Sequence, residues 1–222
     1  MLSVIIPTFN EEKTIEAIIN QVNNLSIEKE IIVVNDCSKD RTAAILSSLS
    51  LNNLKVIHYA SKRGKGAAVR TGLENAVGEF VIIQDADLEY DPNDYLRLLE
   101  AIKGDKVDMV LGARFTEGYH GILLPKVGNR FLTGLMNKLF GVKLNDCFTC
   151  YKLMRRESIL GLGLESNSFD IEIEILAKAI KRGMRILEVP VSYKPRSYKE
   201  GKKIKIGDGF WAIMRILHFR FS

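Results

Sequence analysis

The chain has 222 residues, of which 46% are hydrophobic, and this length and apolar content suffice for one domain with a buried core. Its formal net charge is +5, and the surplus is concentrated in residues 178–205, where ten Lys or Arg residues stand against two Glu residues. The charge therefore predicts a basic face and an anionic partner, and argues against a protein that is basic throughout.

Apolar strands and amphipathic helices alternate along the first half of the chain. The strands are predicted at residues 2–6, 31–34, 54–57 and 80–83, and helical spacing is found at residues 15–22, 42–49 and 67–76. This alternation predicts an α/β fold with a doubly wound, mainly parallel sheet and helices on both faces. Further on, the pattern predicts helices at 131–140 and 171–181 and a last strand at 186–191, where Pro190 is typical of a sheet edge.

Polar residues follow these strands directly, at Asn10, Asp36, Lys65 and the pair Asp85 and Asp87. Open α/β sheets bind their ligands at the carboxyl ends of the strands. Because alternate residues of an extended chain point the same way, Asp85 and Asp87 can converge on one divalent cation, which could hold a diphosphate. A solvated acidic turn is the alternative for such a pair taken alone.

Two common nucleotide sites are excluded by the turns. The turn after the first strand begins at Pro7 and lacks the Gly-x-Gly-x-x-Gly pattern of dinucleotide-binding domains. The turn from Arg63 to Gly66 lacks the spacing of a P-loop.

Three cysteines in a chain without a signal-peptide pattern indicate a reducing compartment. Cys147 and Cys150 have zinc-ligand spacing, but no second pair accompanies them, so all three cysteines are predicted to be unmodified thiols. No stretch approaches the ~20 consecutive apolar residues that cross a bilayer, which favours a soluble or peripheral protein.

Residues 4–11, 33–38, 62–68 and 85–92 resemble the motifs of the family 2 inverting glycosyltransferases, which have the GT-A fold. Within that family the chain is most similar to the dolichyl- or polyprenyl-phosphate mannosyl- and glucosyltransferases. The resemblance continues through residues 111–115, 146–156 and 169–172, and it spans nearly the whole chain.

This resemblance implies a nucleotide-sugar site in which Asp85 and Asp87 bind Mg²⁺ or Mn²⁺ on the diphosphate. Asn35 stands where the family usually has Asp, which leaves the choice between GDP and UDP open. The residues implied to bind the nucleotide sugar are Pro7, Phe9, Asn10, Glu11, Asn35, Asp36, Lys65, Gly66, Asp85, Ala86 and Asp87.

The glycine-rich residues 115–130 resemble the family's acceptor loop, and the flanking Arg114 and Arg130 are suited to an acceptor phosphate. Lys126 is a weaker candidate. The basic residues 196–205, with Arg196 and Lys202, are predicted to form a lid that also contacts the acceptor phosphate, although a solvated surface segment has the same composition.

Asp170 and Glu172 lie at the start of the predicted helix 171–181. They either favour the helix dipole or, as in relatives that glycosylate a hydroxyl, one of them resembles a general base. The catalytic candidates are therefore Asp87, Arg114, Asp170 and Glu172.

The chain is divided into a catalytic domain of residues 1–206 and an amphipathic helix of residues 207–222. At ~1.5 Å per residue the tail helix is about 21 Å long, too short to cross a bilayer. It is expected to lie at a membrane face through Trp211 and its arginines, or to dock on its own core or on a second subunit.

We therefore expect transfer of mannose or glucose from a nucleoside diphosphate sugar to a polyprenyl phosphate, with inversion, at the cytoplasmic membrane face. A family 2 transferase acting on a sugar or lipid hydroxyl is the first alternative. A non-catalytic nucleotide- or nucleic-acid-binding protein is the second, but no nucleic acid partner is expected because exposed aromatic platforms are missing from the sequence pattern.

Overall fold

The computed structural model of the protein describes residues 1–104, 106–114, 123–196 and 206–222, with the backbone alone at 123–125 and 206–208. In these residues the strands are β1 (Leu2–Thr8), β2 (Lys29–Asn35), β3 (Leu54–His58), β4 (Phe80–Ile83), β5 (Met109–Ala113), β6 (Lys152–Arg155) and β7 (Ile186–Pro190). The α-helices are α1 (Ile15–Asn23), α2 (Thr42–Ser48), α3 (Lys65–Asn75), α4 (Tyr95–Ile102), α5 (Leu123–Phe140), α6 (Arg156–Gly161), α7 (Ile171–Lys181) and α8 (Ile206–Phe221).

The strands form one sheet in the order β3-β2-β1-β4-β6-β5-β7. All neighbouring pairs are parallel except those of β6, which runs antiparallel to both β4 and β5. Every residue of β1, β4 and β5 is buried, as expected for central strands covered by helices on both faces, which read as continuous apolar runs. The predicted α/β fold with a mainly parallel sheet is confirmed.

Strand β1 does not stop at Pro7, where the sequence predicted its end. It continues to Thr8 because Pro7 pairs with Val34 of β2, while the register with β4 ends at Ile5. Proline lacks a backbone N–H, and at this position the ladder on the β4 side has already ended. The other predicted proline effect is confirmed, since Pro190 ends β7 and β7 lies at an edge of the sheet.

Helix α8 packs against α5 and α7. Its inner side buries Ile216 and Phe219 in the core, so the tail docks on its own domain. Its outer side leaves Phe210, Trp211, Met214 and Phe221 exposed. None of the helices in the described ranges has the length and apolar content to cross a bilayer.

All three cysteines are free, as predicted. Cys147 and Cys150 are buried, and Cys37 is partly exposed. Burial raises the pKa of the Cys147 thiol to about 12, so it stays protonated at neutral pH.

Candidate functional site

The loops that follow β1 and β2 are joined by hydrogen bonds. The Asn10 N–H donates to Ser38 Oγ at 2.9 Å, and the Lys39 N–H donates to Asn10 Oδ1 at 2.7 Å. The Glu11 N–H donates to the Thr42 hydroxyl at 2.9 Å. These contacts fix the two loops at the carboxyl edge of the sheet, where a ligand would meet them together.

A third loop is held to the second one by Asp36. Its two carboxylate oxygens accept the backbone N–H groups of Arg63 at 2.6 Å and Gly64 at 2.9 Å. Both donors belong to residues 62–66, here called the glycine turn. Three motifs that are far apart in sequence are thereby joined at one edge.

Asn35 is buried and its side-chain amide is engaged within the protein. Oδ1 accepts the Ser38 N–H at 3.2 Å and the Ser38 hydroxyl at 2.6 Å, and Nδ2 lies 3.1 Å from His58 Nδ1. Because a backbone N–H can only donate, the oxygen must face Ser38 and the amide nitrogen must face His58. Asn35 therefore shapes the loop that was predicted to bind the nucleotide.

The glycine turn rests on residues 165–170, here called the α7 leader, so closely that glycine is required. A Cβ on Gly66 would lie 2.3 Å from the Ser166 carbonyl oxygen, and a Cβ on Gly64 would lie 2.1 Å from that of Asn167. Gly64 also has a φ of +97°, which disfavours other residues. The turn presents Lys65, the first residue of α3.

Asp85 belongs to a chain of alternating charges that runs from the partly exposed Asp85 to the fully buried Lys152. Lys65 Nζ lies 2.7 Å from Asp85 Oδ1 and 3.0 Å from Glu172 Oε1. Glu172 Oε2 lies 2.6 Å from Nζ of Lys152, a fully buried lysine of β6. Each carboxylate in the chain thus has an ammonium partner, which offsets the cost of burying these charges.

Asp87 belongs to a second cluster, centred on Arg196. The guanidinium nitrogens of Arg196 lie 3.2 Å from Asp87 Oδ2, 3.2 Å from Glu11 Oε2 and 3.9 Å from Glu89 Oε1. Glu89 also accepts the Arg196 N–H at 2.8 Å and the Tyr193 hydroxyl at 2.5 Å. Three carboxylates therefore surround one guanidinium at the edge of the sheet.

The pKa values of the two aspartates are shifted in opposite directions. Burial, together with the charges of Asp85 and Glu89, raises the pKa of Asp87 to about 7. Burial would also raise the pKa of Asp85, but Lys65 beside it holds that pKa below its ordinary value. Carboxylates with divergent pKa values in one cleft are typical of functional sites, and the cluster around Asp87 carries more negative charge than Arg196 neutralises.

The two aspartates fit a hard divalent cation by their donor chemistry. The extended backbone predicted for them is wrong, because residues 86 and 87 form a turn and Leu88 has a φ of +62°. Mg²⁺ is usually held by one or two carboxylates plus the phosphates of a substrate. The described ranges contain no group of three or more His, Cys, Asp or Glu side chains placed to hold a metal ion. Lys65 and Arg196 now occupy the oxygens of Asp85 and Asp87, which shows that positive charge is accommodated there.

Arg114 follows β5 and is held by a buried carboxylate. Its Nε lies 2.7 Å from Asp146 Oδ2, and one terminal nitrogen donates to Asp146 Oδ1 at 2.9 Å and reaches Asn129 Oδ1 at 3.4 Å. Burial would raise the pKa of Asp146, but Arg114 holds it below the usual value. The pair fixes the guanidinium next to the ring of Tyr193, 5.1 Å away.

The acceptor loop predicted at residues 115–130 does not extend to residue 130, because residues 123–130 are helical and form the start of α5. Arg130 is exposed on α5, one residue after Asn129, and Lys126 is half-buried on the same helix. Lys202 and most of the predicted lid, residues 197–205, lie outside the described residues, as do residues 115–122 of the predicted acceptor loop.

Asp170 is paired with a residue of α8, not with the rest of the site. Its Oδ2 lies 2.7 Å from Nε of Arg215, and its side chain is 7% exposed. Phe169, the residue before it, is exposed, and the centre of its ring lies 5.8 Å from Lys65 Nζ. Neither predicted general base, Asp170 or Glu172, is therefore a carboxylate without a cation beside it.

Sequence reasoning missed Lys152, Glu89, Asp146 and Arg215. Two of them carried a signal: a lysine beside the apolar residues of β6 indicates a buried partner, and Glu89 continues the acidic run of Asp85 and Asp87 in sequence. Asp146 begins the segment 146–156 that resembles the family, but no role was predicted for it, and nothing in the pattern distinguished Arg215 from surface charges.

The family model described as "Glycosyl transferase family 2" matches residues 3–162, which include the three joined loops, both aspartates and Lys152. The chain belongs to glycosyl transferase family 2. The predicted family membership is thereby confirmed.

Relatives of this family 2 protein include enzymes of polyprenyl phosphates. It is 30% identical over 209 residues to the polyprenol monophosphomannose synthase of Mycolicibacterium smegmatis, covering 87% of this chain and 77% of that protein. It is 31% identical over 211 residues to the dolichol-phosphate mannosyltransferase of Pyrococcus furiosus, covering 90% of this chain but 58% of that protein. The undecaprenyl-phosphate mannosyltransferase of Micrococcus luteus is 27% identical, with 89% and 85% covered.

Solved structures show the same fold. The glucosyl-3-phosphoglycerate synthase of Mycobacterium tuberculosis in complex with UDP superposes with a TM-score of 0.76 at 21% identity, over 100% of this chain and 80% of that one. The same enzyme with Mn²⁺, UDP and phosphoglyceric acid gives a TM-score of 0.74. These likenesses establish that the family 2 chain has the glycosyltransferase fold predicted for it.

Proposed function

We propose that the chain transfers a hexose, mannose in the first instance, from a nucleoside diphosphate sugar to a polyprenyl phosphate with inversion. The names of the three relatives indicate this donor sugar and this class of acceptor. The observation that carries the proposal is the pairing of both aspartates with basic side chains, Asp85 with Lys65 and Asp87 with Arg196.

That pairing suits a site that exchanges charges on binding its donor. Arg196 was predicted to bind the acceptor phosphate, but it lies against Asp87 and is therefore assigned here to the donor. A diphosphate offers oxygens to Lys65 and Arg196, and a divalent cation offers positive charge to Asp85 and Asp87. Bound there, Mg²⁺ or Mn²⁺ supplies neutralisation of the charge that develops on the leaving diphosphate. Each of these four side chains therefore exchanges a partner within the protein for a ligand of the same charge. Metal and nucleotide are expected to favour each other's binding.

The nucleotide itself is assigned to the joined loops. Phe9 and Asn10 follow β1, Asp36 follows β2, and Pro7 and Asn35 support them from the strand ends. Lys62 Nζ lies 3.7 Å from the centre of the Phe9 ring, which gives this region a cationic and aromatic surface for a base and its phosphates. Gly66 is assigned a supporting part, because it lets the glycine turn rest on the α7 leader, and Ala86 is assigned to the donor site as the residue between the two aspartates.

Arg114 and Arg130 are assigned to the acceptor phosphate. Asp146 holds the Arg114 guanidinium by two contacts at the end of β5, so that its position is set before a ligand arrives. The charge and the N–H donors of a guanidinium suit a phosphate, and the fixed position of Arg114 lowers the entropy lost on binding.

A phosphate acceptor is favoured over a hydroxyl acceptor by the state of the two carboxylates. A general base must reach the attacking oxygen and take its proton. Glu172 has an ammonium beside each of its oxygens, and Asp170 is paired with Arg215. A phosphate oxygen is already ionised near neutral pH, so its attack needs no base from the protein.

A membrane surface is the proposed location of the acceptor end. The outer side of α8 exposes Phe210, Trp211 and Phe221, and α5, against which it packs, exposes Val127 and Phe131 four residues apart. Exposed aromatic residues next to arginines are typical of helices that lie in a lipid interface.

The test is incubation of the protein with radiolabelled GDP-mannose, UDP-glucose and related donors, with polyprenyl phosphate and Mg²⁺ or Mn²⁺, followed by organic extraction. We expect label in the organic phase from one donor, and none with Asp87→Asn. Label transferred to sugar hydroxyls but not to the lipid phosphate would contradict the proposed acceptor.

A further inference from the structure

An ion pair joins α8 to the start of α7. Nε of Arg215 lies 2.7 Å from Oδ2 of Asp170, a buried carboxylate, and another guanidinium nitrogen lies 3.5 Å from Ser166 Oγ. The same guanidinium lies 4.6 Å from the Phe219 ring and 5.8 Å from the Trp211 ring. Arg215 therefore contacts both ends of the α7 leader while its own position is set by aromatic side chains of α8.

The α7 leader is the surface on which the glycine turn rests. The Gly66 N–H donates to the Asn167 carbonyl at 3.0 Å, and Arg70 of α3 donates to the Asn167 side chain at 2.7 Å and to the Glu165 carbonyl. A Cβ at Gly66 would lie 2.3 Å from the Ser166 carbonyl oxygen. With backbone against backbone at this distance, the turn cannot keep its position if the leader moves.

Two sets of contacts connect the α7 leader to Lys65, and they are called routes below. One is the glycine turn, which contains Lys65. The other is α7, whose Glu172 lies 3.0 Å from Lys65 Nζ and two residues after Asp170. Both routes end on the ammonium that is paired with Asp85.

We infer that Arg215 is a positioning residue of the transfer site, which acts from α8 through Asp170 and the α7 leader to hold Lys65 for the donor's diphosphate. This inference rests on the proposed function, in which Lys65 meets that diphosphate. Since coupling between two sites is reciprocal, donor binding should in turn change the conformation of α8 around Arg215.

Calorimetric titration with GDP and with UDP, each with Mn²⁺, measures the first half of the inference. Arg215→Met keeps an apolar stem against Phe219 and removes the charge, and we expect it to bind the preferred nucleotide roughly three- to thirty-fold more weakly. Arg215→Lys should restore part of the affinity. Arg220→Met, on the same helix but exposed, is the matched control and should bind as the wild type does.

Trp211 is the only tryptophan of the chain, so its fluorescence reports on α8 and measures the second half. Nucleotide with Mn²⁺ should change its emission in the wild type and in Arg220→Met, and should not do so in Arg215→Met. Asp170→Asn removes the same ion pair from its other end and should behave like Arg215→Met, so the test survives if one variant folds poorly.

The outcomes separate this inference from the proposed function. Wild-type affinity in both Arg215→Met and Asp170→Asn, whatever their melting temperatures, would overturn the inference and leave the proposed function standing. An unchanged Trp211 emission in the wild type on nucleotide binding would also overturn it. A wild-type protein that binds neither nucleotide with Mn²⁺ would overturn the proposed function and this inference together.

Discussion

The site has a backbone-built half, made of the nucleotide loops, and an ion-paired half, made of the charged side chains beside them, and the two are held together by different means. Around Asn10, Asp36 and the glycine turn, neighbouring loops exchange short hydrogen bonds in which at least one partner is a backbone group. In the ion-paired half, side chains are positioned by ion pairs between distant elements, Lys65 with Asp85 and Arg196 with Glu11, Asp87 and Glu89.

This difference has a physical consequence. A backbone hydrogen bond in a turn is tied to the turn's dihedral angles, so the backbone-built half is preformed. An ion pair can exchange its partner for a ligand charge, so the ion-paired half can rearrange when metal and phosphates arrive. The predictions below test whether the two halves respond as differently as their construction implies.

The largest effect is expected for Asp87→Ala, which should abolish transfer, as should an excess of EDTA over the metal. The fold should persist, because Asp87 is only partly buried and its pKa, raised to about 7, means that the ionised carboxylate is unfavourable in the folded protein. Transfer assays and thermal melts of the same sample measure both. Asp91→Asn, an exposed acid four residues away, is the control and should keep full activity. Undiminished transfer in Asp87→Ala would refute the assignment of this residue to the metal.

Arg130→Ala is expected to come next, with a loss of roughly ten- to a hundred-fold in kcat/KM for the acceptor, since it removes a charge-assisted phosphate contact of about 1.5–3 kcal/mol. Arg130 is exposed, so its melting temperature should not change. Arg114→Ala should lose as much, but it also leaves the buried Asp146 unpaired, which lowers stability. Lys138→Ala, on the same helix, is the control and should be neutral.

Glu172→Gln, compared with Arg130→Ala, distinguishes a phosphate acceptor from a hydroxyl acceptor. For a phosphate acceptor, turnover per folded molecule should fall less than in Arg130→Ala, although stability falls because Lys152 loses its partner. If the acceptor is a hydroxyl, loss of its general base typically costs 10²–10⁴-fold in rate. A natively stable but inactive Glu172→Gln, beside an active Arg130→Ala, would replace the phosphate acceptor by a hydroxyl.

The contrast between the halves also explains what the sequence could reveal. Residues 80–83 and 171–181 were predicted with the bounds that β4 and α7 have, because apolar runs and helical periodicity are local signals. The donor loops could be found because they follow strands directly. The antiparallel β6 was missed, since four residues between an irregular segment and a short helix carry no strong period.

The ion pairs could not be predicted from the sequence for a different reason. Asp146 lies 32 residues from Arg114, and Arg215 lies 45 residues from Asp170, so no spacing rule connects them. Asp170 was interpreted as a helix-end acid or a base, and only the packing of α8 shows its cationic partner. For Lys152, the charge inside an apolar strand was visible, but Glu172 as its partner depends on the position of α7.

Gly66→Ala tests the backbone-built half with an intermediate effect. Its Cβ would meet the Ser166 carbonyl oxygen at 2.3 Å, and such overpacking should lower the free energy of unfolding by roughly 1–3 kcal/mol. Nucleotide affinity should fall as the glycine turn shifts. Gly134→Ala, on α5 with open space around its Cβ, is the matched control and should gain up to about 1 kcal/mol from helix propensity. Equal melting temperatures of the two variants would mean that the turn adapts.

The smallest effect is expected at the outer side of α8. Deleting residues 208–222 would expose the core, because Ile216 and Phe219 are buried, so single substitutions on the exposed side are the better test. Full burial of a large apolar side chain is worth ~1.5–3 kcal/mol, and interfacial insertion is partial. Phe210→Ser and Trp211→Ser should therefore each weaken binding to anionic vesicles by roughly three- to ten-fold, without a change in melting temperature.

Co-sedimentation with vesicles of anionic and of neutral lipid measures this effect. If vesicle binding also falls as the salt concentration rises, part of the binding is due to basic side chains such as Arg220. Salt screens the contacts between exposed charges and anionic lipids. Leu96→Ser, an exposed apolar residue on α4, is the control and should sediment as the wild type does. If all three variants sediment equally, the exposed aromatic residues of α8 do not contact the membrane. The acceptor would then have to reach Arg114 and Arg130 without help from this helix.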